Sequence, residues 1–162
     1  MIGGGLIKET FWFKKSLYDA PIEKSTEVTA RKSSLIHQAD KRILLGEGQP
    51  VLQKVYRACL EQIKCLVDSA NIGKQMLELY YSRHYSLIIL GGDLSDMTCL
   101  AIAQSIRVHE QANGRTSIPI LLLTETSFEQ IKTDYERLNI NDFLIKPVRL
   151  PELQIIVQRW LA

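Results

Sequence analysis

Residues 85–92 are Tyr85-Ser86-Leu87-Ile88-Ile89-Leu90-Gly91-Gly92, and four large apolar side chains follow one another in this stretch without a polar break. A strand with one face in water alternates apolar and polar residues, whereas a strand covered on both faces is apolar throughout. Residues 87–90 are therefore predicted to form a fully buried strand. The two glycines after it mark flexible or tightly turned backbone.

The same pattern recurs on both sides of this stretch. Apolar runs at residues 43–45, 65–67, 119–123 and 143–145 predict four more strands. Helical spacing between the strands predicts apolar helix faces at Val51, Val55 and Cys59, then Ile72, Met76, Leu77 and Tyr80, then Leu100, Ala103 and Ile106, then Phe128, Ile131, Tyr135 and Leu138, and finally Leu153, Ile156, Val157 and Trp160. Five strands alternating with five helices are typical of a parallel α/β fold, with right-handed crossovers placing helices on both faces.

Composition narrows the class of protein. The chain has 162 residues, of which 46% are hydrophobic and 23% charged, as in an ordinary soluble domain with an extension. Residues 1–41 contain seven Lys/Arg and five Asp/Glu, which leaves 13 of each for residues 42–162 and places the net charge of +2 in the N-terminal arm. A neutral body disfavours nucleic acid as a partner. Three cysteines without CxxC spacing favour free thiols in a reducing compartment, and with no apolar run of membrane-spanning length we expect a cytoplasmic protein.

Chemistry in an open parallel sheet is expected at the carboxyl ends of the strands. The loops predicted there are residues 46–49 (GEGQ), 91–96 (GGDLSD), 124–127 (TETS) and 146–147 (KP). With their neighbouring strands these loops resemble the response-regulator receiver family. Residues 43–55 (ILLGEGQPVLQKV) are similar to the family's ILLVEDNPVNQKV, and residues 85–99 (YSLIILGGDLSDMTC) to YDLILMDxQMPxMDG. Residues 119–125 (PILLLTE) resemble PIIALTA, and residues 143–147 (FLIKP) resemble FLxKP.

The resemblance implies a flavodoxin-like (βα)5 fold with strand order 2-1-3-4-5, and it assigns family positions to several residues. The family's chemistry is phosphoryl transfer to an aspartate beside Mg²⁺, and the acceptor position here is Gly91. The remaining positions are Glu47 and Gly48 for the acidic pair, Thr124 for the hydroxyl, Lys146 for the lysine that pairs with the acceptor, Pro147 for the proline after a cis bond, and Phe143 for the switch aromatic.

Glycine has no nucleophile, so no phosphorylation is expected at Gly91 and no catalytic residue is assigned. Mg²⁺ needs oxygen ligands, usually with one or two carboxylates. Only Glu47 of the acidic pair remains, so neither Mg²⁺ nor another cofactor is expected. Without an acceptor carboxylate, Lys146 is expected to turn to Glu47.

Asp93 and Asp96 are the alternative phosphoacceptors. The spacing from Gly91 to Met97 equals that from the family's acceptor to its methionine, so the register does not slip. Asp93 should then lie two residues beyond the strand, displaced by several Å at about 3.3 Å per residue. Phosphoryl transfer depends on close positioning, which disfavours this alternative.

The N-terminal region bears a second resemblance. Residues 10–17 (TFWFKKSL) are similar to the GSxFWFxLPL segment that ends the ATP-binding domain of sensor histidine kinases. The predicted organisation is a remnant of such a domain at residues 1–18, a polar linker at 19–41 and a receiver-like domain at 42–162. This order is that of a hybrid sensor histidine kinase.

The leading functional hypothesis is a non-enzymatic interaction module of a two-component phosphorelay that works without phosphorylation. Its expected partners are a histidine kinase, a phosphotransfer protein, or another receiver or output domain, with a homodimer through the last two helices and the fifth strand also possible in this fold. One alternative is a divergent receiver phosphorylated on Asp93 or Asp96. The other is a domain that binds a small molecule or anion in the pocket formed by Glu47, Gly91, Thr124 and Lys146.

Overall fold

The computed structural model describes residues 41–162. The kinase-like tail expected at residues 1–18 and almost all of the linker expected at 19–41 lie outside the described residues. The elements are β1 (Arg42–Gly46), α1 (Pro50–Gln62), β2 (Leu66–Ala70), α2 (Gly73–Ser82), β3 (Leu87–Leu90), α3 (Cys99–Ala112), β4 (Ile120–Thr124), α4 (Phe128–Arg137), β5 (Asp142–Ile145) and α5 (Leu150–Leu161).

The five strands form one parallel sheet in the order β2-β1-β3-β4-β5, which confirms the predicted flavodoxin-like fold. Gly46 pairs with Leu90 across β1 and β3, and Thr124 pairs with Ile145 across β4 and β5. All strands point the same way, so the loops that follow them meet at one edge. The predicted site residues are therefore brought together at this carboxyl edge.

One face of the sheet is covered by α2, α3 and α4. Leu44, Ile88 and Leu122 point to this face from three neighbouring strands, and they pack with Met76 of α2 and Ile106 of α3. All five side chains are at most 2% exposed. Each large apolar side chain buried in this way contributes roughly 1.5–3 kcal/mol.

Helices α1 and α5 pack against each other and cover the opposite face. Gln154 Nε2 of α5 donates to the carbonyl of Cys59 in α1 at 2.9 Å. Cys59 Sγ lies 3.5 Å from the carbonyl oxygen of Leu150 at the start of α5. Leu60 and Ile156 are fully buried on the same two helices. Both faces of the sheet are therefore covered, as the apolar strands predict.

The predicted apolar face of α1 is wrong in part. Val51 is 73% exposed and Val55 is 39% exposed, whereas the side chains that the helix buries are Tyr56, Cys59 and Leu60. These three follow the i, i+3, i+4 spacing of a single helix face. The predicted face of α2 likewise includes Ile72, which precedes the helix and is 38% exposed.

Strand β2 runs further than residues 65–67, the stretch predicted from its apolar side chains. It extends through Asp68, whose carboxylate accepts hydrogen bonds from Tyr85 Oη at 2.8 Å and from the guanidinium groups of Arg42 and Arg83 at 3.1 Å. Burial acts to raise the pKa of Asp68, but the hydrogen bonds from Tyr85 and Arg42 outweigh it and hold the pKa below its ordinary value. A charged residue fits here because β2 is an edge strand with partners at hand.

A buried arginine joins α3 to the start of β4 and to the loop before β5. Arg107 donates to Glu110 Oε2 at 2.7 Å, and both side chains are at most 13% exposed. The same guanidinium donates to the carbonyls of Ile118 and Leu138, while Glu110 Oε1 accepts from the backbone N–H of Ile118. The pair is thus fully hydrogen-bonded, which a buried charge requires.

Candidate functional site

Two backbone hydrogen bonds continue the sheet ladder beyond the strand ends and position the site. The N–H of Gly91 donates to the carbonyl of Gly46 at 2.7 Å, and the N–H of Lys146 donates to the carbonyl of Thr124 at 2.7 Å. Gly91 and Lys146 are therefore held by rigid strands and not by long loops. Side chains in this place have little freedom to rearrange.

The centre of the site is an ion pair between Glu47 and Lys146. Lys146 Nζ lies 3.2 Å from Glu47 Oε2 and donates to the carbonyl oxygen of Gly91 at 2.6 Å. Glu47 Oε1 accepts a 2.9 Å hydrogen bond from the backbone N–H of Gln49. The side chain of Glu47 is 2% exposed and that of Lys146 is 11% exposed. The pairing of Lys146 with Glu47 that the sequence predicts is present.

The hydroxyl of Thr124 lies at the same edge but bonds within its own loop. Its Oγ1 accepts a 3.0 Å hydrogen bond from the backbone N–H of Thr126, and the residue is 9% exposed. The peptide bond between Lys146 and Pro147 is cis, as the resemblance implies for this proline. Pro147 thus keeps the backbone feature that the resemblance implies for it.

Phe143 packs into an aromatic cluster below the site. Its ring stacks on Phe128 with centroids 5.4 Å apart and an interplanar angle of 14°, and it meets Tyr135 edge-on at 6.0 Å. The hydroxyl of Tyr135 donates to the carbonyl of Asn141. Contacts with two rings on α4 hold the Phe143 side chain in this orientation.

Asp93 and Asp96, the two alternative phosphoacceptors, lie in the loop between β3 and α3, and both accept hydrogen bonds from backbone N–H groups. Asp93 Oδ1 accepts a 2.9 Å hydrogen bond from the backbone N–H of Cys99. The carboxylate of Asp96 accepts hydrogen bonds from the backbone N–H groups of Gly73 and Lys74, at the N-terminus of α2. Both carboxylates therefore have structural roles that the sequence analysis did not predict.

A cleft of about 530 Å³ opens at the carboxyl edge of the sheet, where Glu47, Gly91, Thr124 and Lys146 are among the residues that line it. Of the described residues that line it, Glu47, Asp93 and Glu125 bring carboxylates and Lys146 brings an amine. The charge facing the cleft is negative, and the one amine already has an internal partner. A phosphate or carboxylate ligand would approach against this charge.

The side chains do not form the Mg²⁺ site that the receiver family uses. Gly48 and Gly91 offer no side-chain oxygen, and the carboxylate of Glu47 is paired with Lys146. Within residues 41–162, no group of three or more His, Cys, Asp or Glu side chains is placed to hold a metal ion. The donor set therefore does not fit a hard cation, which usually needs one or two free carboxylates.

Cys99 also lines the cleft, although the sequence analysis did not assign it to the site. Burial raises the pKa of its thiol to about 11, and the nearby charge of Asp93 adds to the effect. The position of Cys99 could have been found from the sequence, because it follows the loop after β3. Tyr56, on α1, lies near Glu47: burial raises the pKa of its phenol, and the charge of Glu47 raises it further.

Comparison with known proteins identifies the fold and its relatives. Residues 43–158 match the family described as the response regulator receiver domain. The aerobic respiration control sensor protein ArcB of Escherichia coli is 29% identical over 118 residues, which cover 73% of this chain and 15% of ArcB. The hybrid signal transduction histidine kinase K of Dictyostelium discoideum is 25% identical over 159 residues, covering 92% of this chain and 13% of the kinase.

Among solved structures, one similar fold is the receiver domain of Saccharomyces cerevisiae Ssk1 in its co-crystal with the phosphotransfer protein Ypd1. The TM-score is 0.68 at 24% identity, with 74% of this chain and 88% of that chain covered. The chain thus spans only a small part of the sensor kinases it matches, and nearly all of a solved receiver domain. No helix within residues 41–162 is long and apolar enough to cross a membrane.

Proposed function

The chain belongs to the response regulator receiver domain family of two-component signalling, and we propose that it acts as a protein-interaction module that works without phosphorylation. The observation that carries this proposal is the acceptor position, where Gly91 offers no nucleophile and Lys146 donates to its backbone carbonyl. Receiver domains are signalling modules, so loss of the acceptor leaves binding as the remaining activity of the fold.

The hydrogen bonds of the two alternative acceptors support this proposal. The Asp93 carboxylate is engaged with the N–H of Cys99, and the Asp96 carboxylate is engaged with the N-terminus of α2. Lys146, the amine that would stabilise a phosphoryl group, bonds to Glu47 and Gly91 instead. Phosphorylation of Asp93 or Asp96 would require these hydrogen bonds to break and the groups to be rebuilt around a metal ion.

Binding of a small anion is the second alternative, and the electrostatics of the cleft disfavour it. Lys146 is neutralised by Glu47, while Asp93 and Glu125 add negative charge around the opening. An anion would have to displace a buried carboxylate from its lysine. This alternative therefore ranks below the interaction module.

A groove beside the site supports docking of a protein partner. It has a volume of about 520 Å³ and lies between α1 and the start of α5, with Leu52, Val55, Pro147 and Leu150 among its lining residues. Val55 is 39% exposed and Leu150 is 38% exposed. Because receivers bind histidine kinases and phosphotransfer proteins, as in the Ypd1–Ssk1 complex, we propose such a protein as the partner.

Homodimerisation through α4, β5 and α5 is a further part of the proposal. Ile145 at the end of β5 is 52% exposed, and Ile155 on α5 is 50% exposed. In the proposed dimer these two side chains would contribute apolar area to the contact. Sedimentation across a concentration series would measure this association directly.

We also propose that the domain comes from a hybrid sensor kinase. The match to the Dictyostelium kinase covers 92% of this chain, which requires it to extend beyond the receiver-like region into the N-terminal arm. This supports the assignment of residues 1–18 to the end of a kinase ATP-binding domain and of residues 19–41 to a linker.

The test of the proposed function is incubation of the chain with Mg²⁺ and acetyl phosphate, followed by intact-mass measurement. The expected result is an unchanged mass and an unchanged sedimentation profile. A mass increase of one phosphoryl group that disappears in Asp93→Asn or Asp96→Asn would overturn the proposal and identify the acceptor.

A further inference from the structure

The room for an acceptor side chain at Gly91 is filled by a side chain from the loop that follows β1. A Cβ atom built on Gly91 would overlap Glu47 Oε2, and it would lie only 3.1 Å from both Glu47 Cδ and the carbonyl oxygen of Gly46. The carboxylate of Glu47 therefore occupies the place from which an acceptor side chain would extend. The acceptor position, which has no carboxylate of its own, is filled by that of Glu47, the residue that follows β1.

At Gly48, the second glycine of the site, the space for a side chain is taken by backbone atoms. A Cβ atom on Gly48 would lie 3.1 Å from the carbonyl oxygen of Asp93 and 3.7 Å from the Cα of Leu94. A 3.1 Å approach to backbone is tighter than ordinary van der Waals contact. The loop after β3 thus packs against Gly48 where a second acidic side chain would project. Both glycine positions are filled by neighbouring groups and are not open cavities.

The largely buried amine of Lys146 needs a negatively charged partner, and the carboxylate of Glu47 is that partner. Lys146 is 11% exposed, and its Nζ has Glu47 Oε2 and the carbonyl of Gly91 as partners. A charged amine taken out of water is costly unless a counter-charge and hydrogen bonds compensate it, and removing one partner of such a pair is strongly destabilising. The negative charge that holds Lys146 in place is supplied by Glu47.

We propose that Glu47 is the positioning residue of this site: its carboxylate replaces the missing acceptor side chain and holds Lys146, and with it the start of the β5–α5 loop, in one fixed arrangement. The inference rests on the proposed function, because only a domain that takes no phosphate can keep this carboxylate permanently in the acceptor's place. It also explains why the lysine is retained at a site without an acceptor.

The test is chemical rescue of Glu47→Ala by formate. The variant removes the carboxylate and leaves space beside Lys146 into which a small carboxylate fits. We expect the midpoint of thermal unfolding to fall by about 10 °C in sodium chloride. Sodium formate at equal ionic strength should recover a substantial part of that loss. Wild type and the double variant Glu47→Ala/Lys146→Met should show no difference between the two salts, because neither leaves a buried amine at position 146 without a carboxylate.

A second variant keeps the test decisive if Glu47→Ala does not fold in chloride. Glu47→Ala/Gly91→Asp places the carboxylate on the residue that follows β3, so that it extends into the space that Glu47 occupied, and this variant should fold and regain stability without formate. Equal midpoints for Glu47→Ala in formate and chloride, or failure of both formate and the Gly91→Asp exchange to recover folding, would overturn the inference. A phosphoryl adduct on the wild-type chain would instead overturn the proposed function, and it would not change the outcome of the formate comparison.

Discussion

Asp96, in the loop after β3, accepts hydrogen bonds from the backbone N–H groups at the start of α2. One of these N–H groups belongs to Lys74, which is 22 residues before Asp96 in the sequence, so the contact joins two distant segments of the chain. Helix α2 has no side-chain cap from its own N-cap residue, Ile72. The carboxylate of Asp96 therefore supplies the negative charge that a helix N-terminus favours.

Replacing Asp96 by asparagine should make the free energy of unfolding less dependent on pH in the acid range. The hydrogen bonds from Lys74 and Gly73 lower the pKa of Asp96 below its ordinary value. A carboxyl group with a depressed pKa in the folded state contributes stability above its unfolded pKa, and that contribution disappears as the pH falls through the folded pKa. We expect Asp96→Asn to be less stable than wild type at pH 7, with the two converging below about pH 4. Urea unfolding across this range measures the difference, with Glu125→Gln at the same edge as the control, and parallel curves would contradict the assignment.

Gly91→Ala should destabilise the domain, although an alanine normally lowers the entropy of the unfolded chain. The added methyl group would overlap the carboxylate of Glu47. Overpacking of this kind costs about 1–3 kcal/mol. The matched comparison is Gly91→Ala in a Glu47→Ala background, where the overlap with the carboxylate is gone and only the 3.1 Å approach to the carbonyl oxygen of Gly46 remains, so the methyl group should cost less. Equal costs in both backgrounds, measured by urea unfolding, would contradict the overlap.

Arg107→Met should be strongly destabilising. It leaves the carboxylate of Glu110, which is 3% exposed, without its charged partner, and breaking a buried pair costs about 3–5 kcal/mol. The pair of Arg137 with Asp134 has the same i, i+3 spacing but side chains that are 51% and 36% exposed. Arg137→Met should therefore cost at most about 1 kcal/mol. Similar losses for the two variants would show that burial of the pair does not set its contribution.

The thiols of Cys65 and Cys99 should react slowly while the chain is folded. Burial raises the pKa of each to about 11, so at pH 8 about one molecule in a thousand has a thiolate at either position. Labelling by an alkylating reagent should accelerate with each unit of pH up to about 11, and it should become fast at pH 8 in denaturant. Mass spectrometry after digestion assigns each site. Rapid labelling of Cys99 in the folded chain at pH 8 would contradict this expectation.

The parallel sheet and the edge that carries the site could be predicted from the alternation of apolar strands with helices, whereas the strand order came from the resemblance to the receiver family. Continuous apolar runs such as residues 87–90 and 120–123 have one stable solution, a sheet covered on both faces. The pairing of Lys146 with Glu47 could also be predicted, because a buried amine requires a counter-charge and the loops offered few. Helix faces were less predictable: Val55 and Cys59 are four residues apart, and so are Tyr56 and Leu60, so helical spacing alone did not decide which pair is buried.

Contacts that depend on the path of a loop could not be predicted. The Asp96 carboxylate reaches the start of α2 through the path of the β3–α3 loop, which packs against Gly48, and nothing in the local sequence marks the two N–H groups as its partners. The overlap between Glu47 and the space at Gly91 depends on the rotamer of one side chain. Spacing arguments cannot supply a rotamer, because packing by neighbouring strands selects it.

The Glu47 carboxylate is covalently part of the chain, so its effective concentration at Lys146 is the same in every folded molecule. A counter-charge delivered by a phosphodonor varies with the supply of that donor and is lost by hydrolysis. A counter-charge that is part of the loop after β1 needs no donor and is not lost by hydrolysis. In the proposed role, the quantity that a cell could adjust is therefore the abundance of the domain, and a partner would respond to how many copies exist and not to what fraction of them has been modified.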